Sequence, residues 1–371
     1  MTDRVVNFAP GPGTLPLPVL EHAREELLAI PGVGASPLEV SHRGAWFTGV
    51  IREAEANLRE LLGVPDGHHV IFCQGGATMQ FSMVALSLLR GRRRAADYVV
   101  TGSWGSKAVA EAEKEGPVRI TWTGADEGFV RVPRDEELRE ALAADAAYAH
   151  VTTNETIQGV EYPATPATPE GVPLVADASS DFLSRPLDVR SYAILYAGAQ
   201  KNAGPAGVTV AIVRDDVLAA ITDGLPTMLD YRTYVASGSL HNTPPVFSIY
   251  VLMLVTRWLR DDVGGLEAMH RRNREKADLL YAEIDAAAGF FRGHARPGSR
   301  SLMNVTFRLP TEELERRFVD EAAREGLAEL KGHRSVGGIR ASIYNAMPVE
   351  GVGALAAFMR DFRDRHAGDA G

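Results

Sequence analysis

Short apolar segments alternate with helical patterns along the first two-thirds of the chain, and this alternation constrains the fold more than any other feature. Val70–Cys73, Tyr98–Thr101 and Tyr148–Thr152 have the length and apolar character of buried strands. Met79–Leu89 and Ser106–Lys114 carry apolar residues at helical spacing. This alternation is typical of a mostly parallel sheet with helices on both faces, so we expect an α/β fold. Further strands are predicted at Val118–Trp122, Leu174–Ala176, Ala193–Tyr196 and Val208–Val213.

The pattern changes near Asp261, where the apolar strands give way to long charged helices such as Leu266–Ala286. We therefore expect a large domain over residues 16–262 and a smaller α+β domain formed by residues 1–15 and 263–371. The smaller domain is expected to contain strands at Leu302–Arg308 and Ile339–Tyr344 and helices at Thr311–Gly326 and Val352–His366.

Composition argues against several classes of protein. A formal net charge of -9 is unfavourable for nucleic-acid binding, and the single cysteine, Cys73, excludes an intrachain disulfide and a cysteine-cluster metal site. The first residues lack the features of a secretory signal. The most apolar long stretch, Val246–Leu259, is too short to span a bilayer and contains Arg257, so we interpret it as a buried helix. We expect a cytoplasmic protein with no metal and no membrane partner.

Lysine is scarce in this sequence, so each lysine raises a specific question. Lys114 and Lys276 lie in charged helical segments and are expected to be solvated, whereas Lys107 is expected to open a helix. Lys201 differs because it follows the strand Ala193–Tyr196 and has glycines and alanines around it. Such a lysine can form an imine if its site is desolvated and has room for a flat ring. The alternative is a surface lysine in a flexible loop.

Asp177 lies at the end of the preceding predicted strand, where open α/β sheets bind ligands. A carboxylate in that position can pair with a protonated ring nitrogen. An aspartate that only caps a turn would give the same local pattern. Asp177 and Lys201 on successive strands are more informative than either residue alone.

A glycine turn, Gly75–Gly76, joins the strand Val70–Cys73 to the following helix. Free backbone N–H groups at a helix N-terminus bind phosphate groups, and Thr78 can add a hydroxyl donor. Most Gly-Gly turns only reverse the chain, so the pattern alone is weak. Neither a P-loop nor a GxGxxG fingerprint is present, which argues against a dehydrogenase.

Two further side chains follow predicted strands of the same sheet. Trp104 can stack on a flat ring or pack in the core. Thr156 can donate to a ring hydroxyl or cap a turn.

Cationic pairs occur near both ends of the sequence, at His42–Arg43 and at His333–Arg334, with Arg340 close to the second pair. Arginines that converge on one pocket bind doubly anionic substrates. Solvated arginines are the alternative, and we interpret the run Arg90–Arg94 in that way.

With these residues assembled, the sequence resembles the phosphoserine aminotransferase family, whose members are class-V, fold-type I pyridoxal-phosphate enzymes. The resemblance extends from Asn7 to Phe362 and is strongest in Tyr196–Gly207, His241–Pro245 and Lys331–Pro348. It implies a mostly parallel seven-stranded sheet with a smaller α+β domain, pyridoxal 5'-phosphate as the cofactor, and a homodimer with shared active sites.

The resemblance also implies a role for each candidate residue. Lys201 would hold the cofactor as a Schiff base, Asp177 would pair with the ring nitrogen, Trp104 would stack on the ring and Thr156 would lie near its hydroxyl. The cofactor phosphate would be bound by Gly76, Ala77, Thr78 and Gln200, with Asn242 and Thr243 from a neighbouring subunit. The substrate would be bound by Arg340 at its α-carboxylate and, at its phosphate, by His333 and Arg334 with His42 and Arg43 from the neighbour.

The implied reaction is a ping-pong transfer of the amino group from L-glutamate to 3-phosphohydroxypyruvate, giving L-phosphoserine and 2-oxoglutarate in serine biosynthesis. Use of a related substrate in pyridoxine biosynthesis stays open. An alanine–glyoxylate or serine–pyruvate aminotransferase is the alternative, although it leaves the His–Arg pairs without a task. A cysteine desulfurase needs a cysteine on a mobile loop, whereas Cys73 ends a strand. A catalytically silent relative is disfavoured by the intact set of Lys201, Asp177 and Trp104.

Two positions depart from the family pattern. Thr78 stands where some members have arginine, so we expect fewer charged contacts to the cofactor phosphate. Pro10 stands where other members often have serine, and proline has no N–H donor. A substrate contact from that position is therefore left open.

Overall fold

The apolar runs of the sequence form the central sheet of a computed structural model, which describes residues 4–370. The strands are β1 (Val6–Asn7), β2 (His68–Cys73), β3 (Ala96–Val100), β4 (Val118–Thr123), β5 (Ala149–Thr152), β6 (Asn154–Glu155), β7 (Val160–Glu161), β8 (Leu174–Asp177), β9 (Ile194–Gly198), β10 (Thr209–Arg214), β11 (Arg292–Gly293), β12 (Asn304–Arg308), β13 (Leu327–Ala328) and β14 (Ile339–Ser342). The helices are α1 (Leu17–Glu26), α2 (Ala45–Leu62), α3 (Gly76–Leu88), α4 (Ser103–Ala112), α5 (Asp135–Ala141), α6 (Asp215–Ala220), α7 (Tyr231–Ser237), α8 (Val246–Asp261), α9 (Gly265–Ala286), α10 (Glu312–Arg324) and α11 (Val349–His366).

The central sheet has seven strands in the order β2-β10-β9-β8-β5-β3-β4. The four pairs from β9 to β4 are parallel, and only β10 runs antiparallel to its two neighbours. The prediction of a mostly parallel seven-stranded sheet is therefore confirmed.

Side chains alternate between the two faces of this sheet and build a separate apolar core on each. Leu195 and Ala197 of β9 belong to the core that includes α2 and α8. Ile194 and Tyr196, the intervening residues of the same strand, belong to the core that includes α3, α4 and α7. This period of two explains why the strands are apolar throughout, since both of their faces are buried. Val246–Asp261 is a largely buried helix, as predicted.

The C-terminal third forms a third apolar core over a small antiparallel sheet, β11-β12-β14. Phe318 of α10 lies at its centre and makes edge contacts with Phe291 and Phe307. Phe8 also joins this core, because β1 pairs with β13. The limits of 16–262 and 263–371 for the two domains stay a prediction.

Lys276 contradicts the prediction that it is solvated. It is only 1% exposed, and its ammonium donates hydrogen bonds to the carbonyl oxygens of Ile343 at 2.9 Å and Tyr344 at 2.7 Å. The charged segment around it gave no sign of this, because the acceptors come from the chain just after β14. Burial lowers the pKa of Lys276 to about 7.

Within residues 4–370, no helix is both long and apolar enough to cross a membrane. The same residues include no cluster of three or more His, Cys, Asp or Glu side chains suited to a metal ion.

Candidate active site

Five strands of the central sheet end at one edge, and the loops that follow them enclose a pocket of about 190 Å³. This is the edge at which open α/β sheets bind ligands. The pocket contains eight of the residues predicted to bind a cofactor: Gly76, Ala77, Thr78, Trp104, Thr156, Asp177, Gln200 and Lys201. Residues that are far apart in sequence are thus brought together as predicted.

The N-terminus of α3 forms one wall of the pocket. Gly75 and Gly76 both have positive φ angles, of 84° and 65°, and a Cβ atom on Gly75 would lie only 2.5 Å from the Cβ of Met79. The turn therefore requires glycine at position 75 and opens the first backbone N–H groups of the helix toward the pocket. Together with the hydroxyl of Thr78, these groups can bind an anion at the positive end of the helix.

Lys201 follows β9 and lines the pocket. Its Nζ donates a hydrogen bond to Thr156 Oγ1 at 2.6 Å. Burial lowers the pKa of Lys201 to about 8. The carboxylates of Asp177 and Glu155 oppose this fall, and Arg340 adds to it. A substantial fraction of the amine is therefore neutral near neutral pH, as a nucleophile or base requires.

Asp177 is the last residue of β8 and is only 3% exposed. Burial raises the pKa of its carboxyl group, while hydrogen bonds from Ser179 and the charge of Lys201 oppose the rise. Its Oδ1 accepts the backbone N–H of Ser179 at 2.9 Å. The local turn expected of a strand-end aspartate is thus present, and it leaves the carboxylate facing the pocket.

Trp104 lies in the first turn of α4 and lines the pocket. The centroid of its ring is 5.6 Å from Lys201 Nζ and 4.0 Å from the ammonium of Lys107, which lies one turn further along the helix. Its indole Nε1 is buried and has no hydrogen-bond partner within the described part of the chain. The ring is therefore partly in the core and partly in the pocket, so both alternatives drawn from the sequence hold in part.

Arg340 on β14 is a buried cation whose charge acts on Lys201. Arg340 is only 6% exposed, and its Nε has no hydrogen-bond acceptor among residues 4–370. Its charge reaches both Lys201 and His333, because it lowers the pKa of each. A guanidinium that is buried and not fully hydrogen-bonded is suited to bind a carboxylate ligand. His333 and the exposed Arg334 lie on the loop that precedes β14.

Seven predicted site residues do not line this pocket: His42, Arg43, Asn242, Thr243, His333, Arg334 and Arg340. The Nε of Arg43 donates to Nε2 of His42 at 3.2 Å, on the loop that precedes α2. Asn242 and Thr243 are exposed, and the carbonyl of Thr243 accepts from Gln74 at 3.3 Å.

Sequence reasoning missed several polar residues of the site. Thr152, Asn154, Ser179 and Ser180 also line the pocket. Glu155 is fully buried and does not line the pocket, but its carboxylate accepts the backbone N–H of Trp104. Burial raises the pKa of Glu155 to about 7, against the opposing effect of two backbone N–H groups. The only signal for these residues was their position just after a strand.

Comparisons with known proteins agree with this geometry. The family profile described as "Aminotransferase class-V" matches residues 5–355. A phosphoserine aminotransferase from Rhodopirellula baltica is 54% identical over 365 residues, which cover 98% of this chain and 96% of the relative. Among solved structures, the phosphoserine aminotransferase from Bacillus circulans subsp. alkalophilus is 48% identical, with a TM-score of 0.95 and coverage of 98% of this chain and 100% of that one. A pyridoxal-phosphate-bound phosphoserine aminotransferase from Trichomonas vaginalis is 38% identical, with a TM-score of 0.90 and coverage of 96% and 100%.

The chain therefore belongs to the class-V aminotransferases and, within them, to the phosphoserine aminotransferase family. The resemblance inferred from the sequence is confirmed.

Proposed function

We propose that this chain catalyses the reversible transfer of an amino group from L-glutamate to 3-phosphohydroxypyruvate, with pyridoxal 5'-phosphate as its cofactor. The observation that carries the proposal is the presence of a desolvated amine, Lys201, and a buried carboxylate, Asp177, in one pocket that the N-terminus of α3 also lines. Two relatives that are 54% and 53% identical to this chain, over 96% and 99% of their own length, are named phosphoserine aminotransferase.

The residues of the pocket fit the cofactor. The N–H groups of Gly76 and Ala77, with Thr78 and Gln200, would hold its phosphate, because glycine at position 75 leaves that helix end open. Lys201 would attach it covalently, and Asp177 would pair with its ring nitrogen. Trp104 would stack on the ring, and Thr156 would contact its hydroxyl. When bound, pyridoxal phosphate supplies a conjugated ring that accepts the electron pair released at the α-carbon of the substrate.

The residues of the chain then have separate tasks. Lys201 Nζ takes the proton from the substrate's α-carbon, which it can do because its lowered pKa keeps part of it neutral. Thr156 holds this amine in place through the 2.6 Å hydrogen bond. Asp177 lines the pocket, where its carboxylate would stabilise a protonated ring nitrogen of the cofactor.

Arginine and histidine side chains would bind the carboxylate and phosphate groups of the substrate. Arg340 would bind the α-carboxylate, since it is buried with an unsatisfied Nε. His333 and Arg334 would bind the phosphate of the substrate together with His42 and Arg43 of the partner subunit. Asn242 and Thr243 of the partner subunit would bind the cofactor phosphate. The support for a homodimer with shared sites is the likeness to the phosphoserine aminotransferase family, together with the exposure of Arg43, Asn242 and Thr243 in this chain.

The visible absorbance of the cofactor-loaded protein tests the reaction. Addition of L-phosphoserine is expected to remove the band of the lysine-bound cofactor, whereas L-serine and L-alanine are not. A response to alanine or serine alone would favour an alanine–glyoxylate or serine–pyruvate aminotransferase. The Lys201→Ala variant should fold and have no turnover, and near-normal rates in that variant would refute the assignment.

Mixing two inactive variants tests the shared site. Arg43→Ala and Lys201→Ala each disable both sites of their own homodimer. A mixed dimer contains one site with Lys201 and Arg43 both intact, so activity should return after exchange of subunits. Absence of any recovery in confirmed mixed dimers would contradict the shared-site proposal.

Two finer parts of the proposal need separate measurements. The pyridoxine-pathway substrate is tested by turnover of 4-phosphohydroxy-L-threonine relative to L-phosphoserine. A cytoplasmic location is tested by cell fractionation.

A further inference from the structure

Glu155 lies behind Trp104 and binds the backbone on which that side chain is mounted. Its Oε2 accepts the N–H of Trp104 at 2.9 Å, and its Oε1 accepts the N–H of Gly105 at 2.8 Å. These groups belong to the first turn of α4, whose N-cap residue, Gly102, provides no side-chain cap. A carboxylate from another element thus satisfies two N–H groups at the positive end of the helix.

The packing around this carboxylate leaves α4 little freedom to move. A Cβ atom on Gly102 would lie 2.5 Å from Cδ of Glu155, and one on Gly105 would lie 3.3 Å from its Oε1. The two glycines that flank Ser103 and Trp104 therefore let the helix backbone approach the carboxylate. Gln158 completes the contact, since its amide donates to Ser103 Oγ at 2.8 Å.

Glu155 is itself held firmly. It lies in the two-stranded β6–β7 hairpin, and the residue has no exposed surface. Its charge affects Lys201, although it does not line the pocket. Because its direct contacts are to the helix backbone, any effect on the reaction has to pass through Trp104 or through the field at Lys201.

We propose that Glu155 is a positioning residue that holds the indole of Trp104 in the position and orientation needed to stack on the pyridine ring of the cofactor. The inference rests on the proposed function, since it assumes that pyridoxal phosphate occupies the pocket. It assigns a task to a residue that touches neither the cofactor nor the substrate.

A matched pair of variants separates this role from a general loss of stability. Glu155→Gln keeps the shape but removes the charge and turns an amide N–H₂ toward a backbone N–H. Glu161→Gln makes the same change on the other strand of the hairpin, where the carboxylate is 4% exposed and accepts the N–H of Leu302 at 2.7 Å. Both variants are expected to lower the thermal stability of the apo-protein.

Only Glu155→Gln should weaken cofactor binding. Equilibrium dialysis of pyridoxal phosphate against the apo-protein is expected to show an affinity lower by about tenfold for Glu155→Gln and within about twofold of wild type for Glu161→Gln. The induced circular dichroism of the bound cofactor, which reports the asymmetric contact with the indole, should fall in the first variant alone.

A double-mutant cycle with Trp104→Leu tests whether the effect passes through Trp104. In that background, Glu155→Gln should change the affinity by less than about twofold. An equal loss in both backgrounds, or no loss in either, would overturn the inference while leaving the proposed function intact. If the wild-type protein bound no pyridoxal phosphate, the proposed function itself would fail.

Gly105→Ala provides a second route if Glu155→Gln does not fold. Its added Cβ must displace the Glu155 carboxylate by a few tenths of an ångström, whereas alanine favours the helix itself. We expect weaker cofactor binding and a smaller circular dichroism signal. Unchanged binding in this variant would count against the inference.

Discussion

The lowered pKa of Lys201 gives the sharpest quantitative prediction. With a pKa of about 8, roughly a tenth of this amine is neutral at pH 7. An amine at the ordinary value of 10.5 would be neutral in only about 0.03% of molecules at pH 7. Burial therefore raises the reactive fraction by a factor on the order of 300, which is large enough to measure.

The assay is reductive labelling of the apo-protein with a small neutral aldehyde at pH 6 to 10, followed by peptide mass spectrometry. Lys114, which is exposed beyond the end of α4, monitors the reagent in the same sample. Labelling of Lys201 relative to Lys114 removes the pH dependence of the reagent itself. The midpoint for Lys201 is expected near pH 8.

Asp177→Asn is the perturbation that tests the physical cause. The charge of Asp177 opposes the effect of burial on Lys201, so its removal should move the midpoint below that of wild type. A wild-type midpoint near pH 10 would show that the amine is solvated. A midpoint that rises in Asp177→Asn would refute the electrostatic argument even if the wild-type value were correct.

Three further predictions concern other parts of the molecule. Arg340→Met should raise KM for both L-glutamate and L-phosphoserine by about tenfold to a hundredfold, because it removes charge-assisted hydrogen bonds to the α-carboxylate that both share, and an effect on phosphoserine alone would contradict this role. The folded-state pKa of Lys276, about 7, is below its unfolded value of 10.5, so its burial penalty is fully present below pH 7 and is relieved as pH rises toward 10.5. Urea denaturation should therefore show wild type gaining stability relative to Lys276→Met over that interval, and a constant difference would argue against it. Phe318→Ala empties the centre of the small-domain core, where the side chain has no exposed surface, and should lower the free energy of unfolding by about 3–5 kcal/mol, with the exposed Leu28→Ala as the control.

The seven strands of the central sheet and most of the longer helices could be predicted because their periodicity is a local property. The order of the strands could not, and neither could the reversed direction of β10, since a strand buried on both faces has the same apolar pattern in either direction. Helix α4 begins at Ser103, three residues before the prediction, because Glu155 and Gln158 cap it from another part of the chain. The residues next to Ser103 in the sequence therefore do not indicate where the helix begins.

The pocket residues were predictable for a related reason. Parallel strands place their carboxyl ends at one edge, so a polar residue just after a strand is a candidate for the site, as with Asp177 and Lys201. The same rule could have selected Glu155, but its buried side chain points to α4. Lys276 was misassigned because its burial depends on two carbonyl groups that are far away in sequence.

Burial and charge pairing act in opposite directions on the pKa values of Lys201 and Asp177. Lys201 is desolvated, and its pKa falls despite two nearby carboxylates, so burial dominates over charge pairing here. Asp177 is buried as well, and its pKa rises despite the cation beside it. Each group is thus moved toward its neutral form by the same loss of water and is restrained by the other. A ligand that brings a positive ring nitrogen to Asp177 and consumes the amine of Lys201 relieves both strains together. Pyridoxal phosphate should therefore raise the thermal stability of the protein by more than its own contacts account for. The Asp177→Asn variant should show a smaller increase when thermal unfolding is measured with and without pyridoxal phosphate.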